Sequence, residues 1–474
     1  MRFLKWDLSK LFKRETSMKK IGVFICNYNK KEYVLNNLAS MFQQTIMDDI
    51  DIYVIDNASS DGSADAIEKN YPLVHVMRNQ ENIGGAGGFY QALKMGEEHG
   101  YPYILLADND IRLAPDAIEQ LYVFLKEHED VGMVGSKVYL MDDPSRIWIY
   151  GNYIDFDNYK MIDCYANELE DESQPDIVYC DTVPSCCLLI KTECLKKTGY
   201  MPKENFIFWD DIEWCHRFGL AGYKVAAIAA SKVWHKTGGS VLTTHFGTYY
   251  YNRNRLHFFA KYIKEEKIED YVETLLEDFF RRIYGLAQKG SVNAVTALMY
   301  ALHDFLMGVR GKADAYKILP YDSFMNPLKD INDRKKPLII DVDCEEADKA
   351  GKSYYNALHN VLWNLKNVND VFVKLNGTLE NIQSFETCYQ NMYGDVYDKV
   401  TEISLDVTSI RICEHVRSLD EYTDGSIWVD EWCNIIIDRK DFYYFQNYEF
   451  AKRNFMMMYH DLFIQAIYKI RNGR

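Results

Sequence analysis

At 474 residues the chain is long enough for two or three domains. Its 48% hydrophobic and 26% charged residues are the balance of a soluble globular protein, with an unusual abundance of Tyr, 36 in all. A formal net charge of −16 excludes a nucleic-acid partner held by phosphate neutralisation. No run of about 18 apolar residues is present to cross a bilayer as a helix.

Residues 1–20 stand apart from this acidic background. Arg2, Lys5, Lys10, Lys13, Arg14, Lys19 and Lys20 outweigh Asp7 and Glu15, and Leu4, Leu8, Leu11 and Phe12 fall on one helical face. That pattern suits peripheral contact with an anionic membrane. A frayed basic terminus or a helix docked on the protein's own body fits it equally. The continuous apolar centre of a signal peptide is lacking. The 11 Cys show no zinc-like pairing and read as mostly buried thiols of a reducing cytosol.

The apolar run 21–26 predicts a first buried strand, followed by Asn27-Tyr28-Asn29-Lys30 and a helix reaching about residue 42. A second strand, 52–55, ends in Asp56-Asn57-Ala58-Ser59-Ser60-Asp61-Gly62-Ser63, and a third, 74–77, runs into Arg78 and the Gly-rich stretch 82–88. A helix over about 89–98 precedes a strand that begins at Tyr103 and ends in Asp108-Asn109-Asp110. Strand and helix alternate at βαβ spacing, so an α/β fold with a mostly parallel sheet is expected. Ligands in such sheets bind beyond the carboxyl ends of the strands.

If strand geometry lasts to its end, Asp108 and Asp110 point to the same side. Two carboxylates that close repel unless one is protonated or a cation lies between them, and hard oxygen ligands suit Mg²⁺ or Mn²⁺. An Asx-rich turn is the alternative. The Gly-rich stretch fails the dinucleotide fingerprint, because position 90 is Tyr and the stretch follows the third strand rather than the first. It also lacks the Gly-Lys-Ser/Thr of a phosphate loop. What remains is a loop opening a helix, serving either close approach to an anion or sugar or a structural turn.

Further on, Trp209-Asp210-Asp211-Ile212-Glu213 opens a helix, and the apolar run 225–233 leads to His235. A helical region over about 249–311 carries Arg253 and Arg255, which either clamp a leaving diphosphate or form surface salt bridges. The charged run 330–336 reads as a linker. Beyond it, strand candidates at 338–342, 371–375, 403–407, 427–429 and 434–437 suggest a second, smaller α/β unit. A last helix, 448–471, has one broad apolar face for the body, a second subunit in a homo-oligomer, or membrane.

In their order and spacing, Asn27-Tyr28-Asn29, the Asp56–Ser63 segment, Asn82-Ile83-Gly84-Gly85-Ala86-Gly87-Gly88-Phe89, Asp108-Asn109-Asp110, Phe208–Arg217 and Val233-Trp234-His235 resemble family 2 glycosyltransferases of the GT-A fold. The resemblance covers about residues 20–310. The Gly-rich stretch and Trp-Asp-Asp-x-Glu are most similar to the branch of bacterial galactofuranosyl- and rhamnosyltransferases. The resemblance implies a GT-A domain (21–250); composition and pattern add an arm (1–20), a helical extension (251–330) and a C-terminal α/β domain (335–474). The resemblance also implies a UDP- or dTDP-linked donor resting on Asn27, Tyr28, Asp56, Arg78, Asn82, Gly84, Gly85, Gly88 and Asp108. Mn²⁺ or Mg²⁺ would sit on Asp108, Asp110 and His235, with Asn109 standing where some relatives carry a third Asp. Asp211 takes the general-base position with Asp210 beside it, and Trp148, Trp209 and Glu213 would face a glycan or lipid-linked glycan acceptor, core packing being the alternative for both tryptophans. The implied activity is inverting hexosyl transfer in bacterial surface polysaccharide synthesis, in the cytoplasm at the inner face of the membrane. Two rivals are weighed. A dinucleotide-dependent oxidoreductase lacks its third Gly, and a non-catalytic sugar-nucleotide-binding or scaffold protein predicts loss of Asp211 or the metal pair, neither of which is lost.

Overall fold

The computed structural model describes residues 19–236, 244–322, 336–365, 370–393, 397–400 and 407–473. The basic arm (bar its last two residues) and most of the charged linker, as read from the sequence, lie outside these residues. The apolar runs become the strands of one ten-stranded sheet. In chain order the first half holds β1 (Ile21–Asn27), α1 (Lys31–Met41), β2 (Ile50–Asp56), α2 (Ser63–Asn70), β3 (His75–Arg78), α3 (Gly84–Glu98), β4 (Tyr103–Asp108), β5 (Ile111–Leu113) and α4 (Ala117–Glu127). There follow β6 (Val131–Leu140), β7 (Ile147–Ile149), a hairpin of β8 (Asn152–Asp155) and β9 (Lys160–Asp163), then β10 (Ile177–Cys180), β11 (Cys187–Lys191), α5 (Leu195–Thr198), α6 (Asp210–Leu220) and β12 (Lys224–His235).

The sheet order is β10-β12-β6-β11-β4-β1-β2-β3, with β5 on β12 and β7 on β6. β1, β2, β3 and β4 run parallel, whereas β11 is antiparallel to both β4 and β6. This is the mostly parallel, doubly covered sheet that the sequence resemblance implies. Alternation along β1 shows why both faces are covered: Ile21, Val23 and Ile25 join the core under α1 and α4, while Phe24 joins the one under α3. Register sets the functional edge. Asn27 pairs with Asp56 and Cys26 with Asp108, so three polar strand ends stand side by side.

After the sheet, α7 (Phe246–Tyr262), α8 (Ile268–Gln288) and α9 (Val292–Leu306) form a helical layer. Tyr271, Val272, Leu275, Leu276 and Phe279 fall at i, i+1, i+4, i+5 and i+8 of α8 and are all buried. A second sheet, β14-β13-β15-β16-β17, follows. It is built from β13 (Leu338–Asp343), α10 (Cys344–Ala350), α11 (Lys352–Leu365), β14 (Val371–Asn376), α12 (Leu379–Tyr393), β15 (Thr408–Ile412), β16 (Ile427–Val429) and β17 (Ile435–Ile436). The strand expected at 403–407 is instead found at 408–412, where Ile410 and Ile412 turn into the core; residues 403–406 lie outside the described ones. After α13 (Arg439–Gln446), α14 (Tyr448–Arg471) returns to the helical layer. Phe463 packs on Tyr271 and Phe305 at ring distances of 5.6 and 4.7 Å, so this part of the apolar face belongs to the body, while Met458 and Leu462 stay exposed. All eleven cysteines are free, six of them buried: Cys186, Cys187, Cys194, Cys215, Cys344 and Cys413. Among the described residues no helix is long and apolar enough to cross a membrane.

Candidate active site

The turn from β4 to β5 is anchored from below. Asn109 is buried and donates to Asn27 Oδ1 at 2.8 Å, and Asn37 Nδ2 donates to the Asp108 carbonyl at 2.8 Å. With the middle residue tied down, Asp108 and Asp110 are left for the recess. β5 pairs antiparallel with the end of β12, placing His235 opposite Ile111 and its ring against Asp110. His235 Nε2 lies 3.0 Å from Asp110 Oδ1 and 3.6 Å from Asp108 Oδ2, and Lys30 Nζ lies 3.4 Å from Asp110 Oδ2. The Trp148 ring, 4.6 Å from the imidazole, backs it.

Two carboxylates and one imidazole therefore offer ligand atoms within 4.8 Å of one another. Hard oxygens with one nitrogen suit Mn²⁺ or Mg²⁺. The charges are already polarised. Crowding by protein and the nearby Asp110 and Asp211 raise Asp108 to about 6, although His235 opposes this. Burial also pushes Asp110 upward, but the hydrogen bond and charge of His235, with Lys30, outweigh it and hold Asp110 below the usual carboxylate range. Burial lowers His235, and Asp110 and Asp108 more than reverse that. His235 Nδ1 is buried with no hydrogen-bond partner among the described residues.

Beside this cluster α6 begins at Asp210. Asp211 Oδ2 accepts from the Ser185 amide at 3.2 Å and Oδ1 from the Ile212 amide at 2.8 Å. The carbonyl of the next residue, Cys186, accepts from the Asp108 amide at 3.0 Å, so Asp211 is moored one residue from the end of β4. Burial raises both Asp210 and Asp211. Asp210 is driven well above the ordinary value, next by the charge of Asp211, whereas amide donors oppose the rise at Asp211.

On the other side, Asp56 is buried and accepts from Asn27 Nδ2 and the Ser59 amide, each at 3.0 Å. Tyr28 stands at the rim with 46% of its surface exposed, free to stack. Asn57 Nδ2 donates to the Gly84 carbonyl at 3.0 Å and ties the second strand to the start of α3.

Residues 22–183 match the family model described as Glycosyl transferase family 2. The chain carries a family 2 glycosyltransferase domain. It is 26% identical over 263 residues to a galactofuranosyltransferase of Mycolicibacterium smegmatis, covering 50% of this chain and 40% of that protein. It is 28% identical over 140 residues to an abequosyltransferase of Salmonella typhimurium, covering 27% of this chain and 41% of that protein. The chain thus spans less than half the length of these curated relatives. A solved structure described as GalNAc-T7 with UDP, GalNAc and Mn2+ overlays with a TM-score of 0.42 at 14% identity, over 55% of this chain and 51% of that one.

Several residues expected at the site of this glycosyltransferase domain have other work. The Arg78 guanidinium turns to Asp65 and Glu68 of α2, at 2.7 and 2.9 Å, and is no free phosphate clamp. Asn82 Oδ1 accepts the Gly84 amide at 2.8 Å and opens α3, which starts five residues before the expected helix. The Gly-rich stretch is thus helix rather than loop. Gly84 has φ +80°, and a Cβ there would meet the Phe206 carbonyl at 2.1 Å; one at Gly88 would meet Cys26 Sγ at 2.5 Å. These two glycines answer close packing by the protein itself. Gly85 faces open space and keeps a ligand-approach role available. Trp209, 1% exposed, is packed among Tyr251, Phe258 and Phe259 and offers no face to an acceptor. Glu213 is buried against α7, accepting from Lys261 Nζ at 2.7 Å and the Tyr262 hydroxyl at 3.2 Å, so it too leaves the acceptor set. Arg253 is fully buried rather than on the surface, while Arg255 pairs with Asp278 at 3.0 Å. Lys30 and Ser185 were not expected. Lys30 sits in a quoted motif, but nothing in the sequence shows it reaching Asp110, and a backbone amide such as that of Ser185 leaves no sequence signal.

Proposed function

We propose that the protein is an inverting, metal-dependent hexosyltransferase. It moves a sugar, galactofuranose or rhamnose, from a UDP- or dTDP-linked donor to a glycan or lipid-linked glycan acceptor in bacterial surface polysaccharide synthesis. One observation carries the reading: a polarised Asp108–Asp110–His235 cluster and an amide-backed Asp211 stand together at the carboxyl ends of parallel strands. A relative named a galactofuranosyltransferase supports the sugar class.

Asp211 takes the proton of the acceptor hydroxyl as its oxygen bonds to the anomeric carbon. The bond from that carbon to the diphosphate breaks in the same displacement, and its electron pair leaves with the nucleotide diphosphate. Asp108, Asp110 and His235 would hold Mn²⁺ or Mg²⁺, which supplies positive charge to the departing diphosphate. Tyr28 stacks on the base, Asp56 accepts its imide N–H, and the backbone at Gly85 lets the donor approach α3 closely. Trp148 remains the acceptor-side aromatic. The division into arm, GT-A domain (21–250), helical extension (251–330) and C-terminal domain (335–474) is part of the same proposal.

The test is a panel of nucleotide sugars offered to the purified protein with acceptor glycans, scored by release of nucleotide diphosphate with Mn²⁺ and with chelator. Metal-stimulated release from a UDP- or dTDP-hexose is expected. Release from none of the panel would leave the scaffold reading standing. Residues 1–20 are proposed as the contact with an anionic membrane surface at the cytoplasmic face. Deleting them is expected to lower binding to anionic vesicles in a salt-sensitive way; unchanged binding would return the arm to an ordinary terminus.

A further inference from the structure

The segment that delivers Asp210 and Asp211 is strained. Phe206, Phe208 and Trp209 have φ of 67°, 63° and 63°, the left-handed region that side-chain-bearing residues avoid. A turn of this kind persists only when its surroundings over-determine it. Its carbonyls turn toward α7 and take donors there.

One side chain supplies most of them. Asn254, on α7 and 1% exposed, donates from Nδ2 to the carbonyls of Asn205, Ile207 and Phe208 at 2.9, 2.8 and 3.0 Å. Its Oδ1 accepts from Arg253 Nε at 3.0 Å, which fixes the amide with its N–H groups toward the turn. Arg253 Nη2 adds a bond to the Asn205 carbonyl at 3.2 Å, and Arg310 donates to Asn205 Oδ1. From the opposite side the Ala86 amide of α3 donates to the Phe206 carbonyl at 3.1 Å, where Gly84 leaves room. The turn is thus gripped between α7 and the start of α3.

We propose that Asn254 is a positioning residue for transfer: it holds turn 205–209 in its strained shape and so keeps Asp211 moored to Ser185 beside Asp108. This rests on the reading of Asp211 as the base. Without the amide donors, buried carbonyls lose their partners, the left-handed residues relax toward ordinary backbone, and the first turn of α6 moves with them. Tyr28 and Asp56, the proposed contacts of the base, share no hydrogen bond with Asn254, whose partners are Arg253, Asn205, Ile207 and Phe208.

Steady-state transfer and calorimetric binding of nucleotide diphosphate are compared for wild type, Asn254→Ala, the milder Asn254→Ser, and Asn254→Ala combined with Phe208→Gly. Asn254→Ala is expected to lower kcat on the order of 10- to 100-fold with nucleotide affinity within about twofold of wild type, the effect of a small misplacement of a reacting group. Asn254→Ser keeps one donor and falls between. Glycine at 208 adopts the left-handed region without a side-chain penalty, so the double variant recovers part of kcat. Hydrogen exchange of amides 206–212 reads the turn independently of turnover and is expected to quicken there in Asn254→Ala, with β1, β2 and β4 protected as in wild type. Wild-type kcat in both single variants, loss of binding in parallel with kcat, or unchanged exchange would each overturn the proposal. A wild type that transfers no sugar sinks the functional reading instead, and the exchange experiment still judges the grip.

Discussion

Asp211→Asn is expected to lower turnover on the order of 10²- to 10⁴-fold while nucleotide binding persists, the usual worth of a positioned general base. The amide keeps the size of the carboxylate and can still hydrogen-bond the Ser185 segment, but it cannot take a proton from an acceptor hydroxyl at neutral pH. The structure also favours one of the adjacent carboxyls for the proposed role of base. Asp210 is buried and Asp211 half-buried; the Ser185 and Ile212 amides stabilise the Asp211 anion, while Asp210 is pushed well above the ordinary range by burial and then by its neighbour's charge. The neutral state is therefore favoured more at Asp210 than at Asp211. Asp210→Asn, which copies that neutral state, is expected to cost much less. The sign of the pH effect follows. Burial raises Asp211, so kcat falls with decreasing pH through a value above the ordinary Asp pKa of about 3.9. In Asp210→Asn that acid limb stays where it is in wild type. Rate–pH profiles and nucleotide affinities of the three proteins check both points; near-normal turnover in Asp211→Asn would place the base elsewhere.

What the sequence made legible was the part built from local pattern. Strand ends are written as apolar runs stopping in Asn27, Asp56 and Asp108, and parallel register then brings those ends together without further information. The Asp108–Asp110 pair follows from the period-two strand, and the distant His235 was reached by family resemblance; the structure brings it in through the β5–β12 pairing, which no local pattern announces. Side-chain destinations were harder. Arg78 looks the same in a sequence whether it meets a phosphate or Asp65 and Glu68 one helix away. Trp209 and Glu213 follow an acidic, aromatic motif, but their directions depend on the left-handed turn before α6, whose residues are Phe and Trp where a sequence reader looks for Gly. The Gly-rich stretch misled for a related reason. Four glycines in five residues suggest a loop, yet the constraint at Gly84 and Gly88 is contact with Phe206 and Cys26, satisfied inside a helix.

The same dependence on buried partners sets the largest expected stability effect. Asp304→Ala is expected to destabilise the protein by about 3–5 kcal/mol, the cost of stranding a buried charge. Asp304 lies on α9 with 1% of its side chain exposed and accepts from Lys317 Nζ at 2.7 and 3.0 Å and from the Tyr249 hydroxyl at 2.5 Å. Removing the carboxylate leaves the nearly buried Lys317 ammonium with only the exposed Asp314, at 3.7 Å, as a counter-charge and the Tyr249 hydroxyl without an acceptor. Replacing the pair together, Asp304→Leu with Lys317→Met, should cost less than the single change, because no charge is stranded. Burial pushes Asp304 upward, but the hydrogen bonds from Lys317 and Tyr249 outweigh this and hold it below the usual carboxylate range. Its contribution is therefore fully present above the unfolded value of about 3.9 and is lost as pH falls through the folded value. Burial lowers Lys317, and the hydrogen bond and charge of Asp304 more than reverse that, so its contribution holds below the unfolded value of about 10.4 and is lost as pH rises through the folded one. Urea unfolding of wild type and both variants should show the full gap at neutral pH and a narrowing gap in acid. A single-variant cost under about 1 kcal/mol would mean the pair behaves as a surface ion pair. Because Tyr249 and Asn254 share α7, loosening at Asp304 should also reach turn 205–209, and kcat should fall in Asp304→Ala before unfolding is detected.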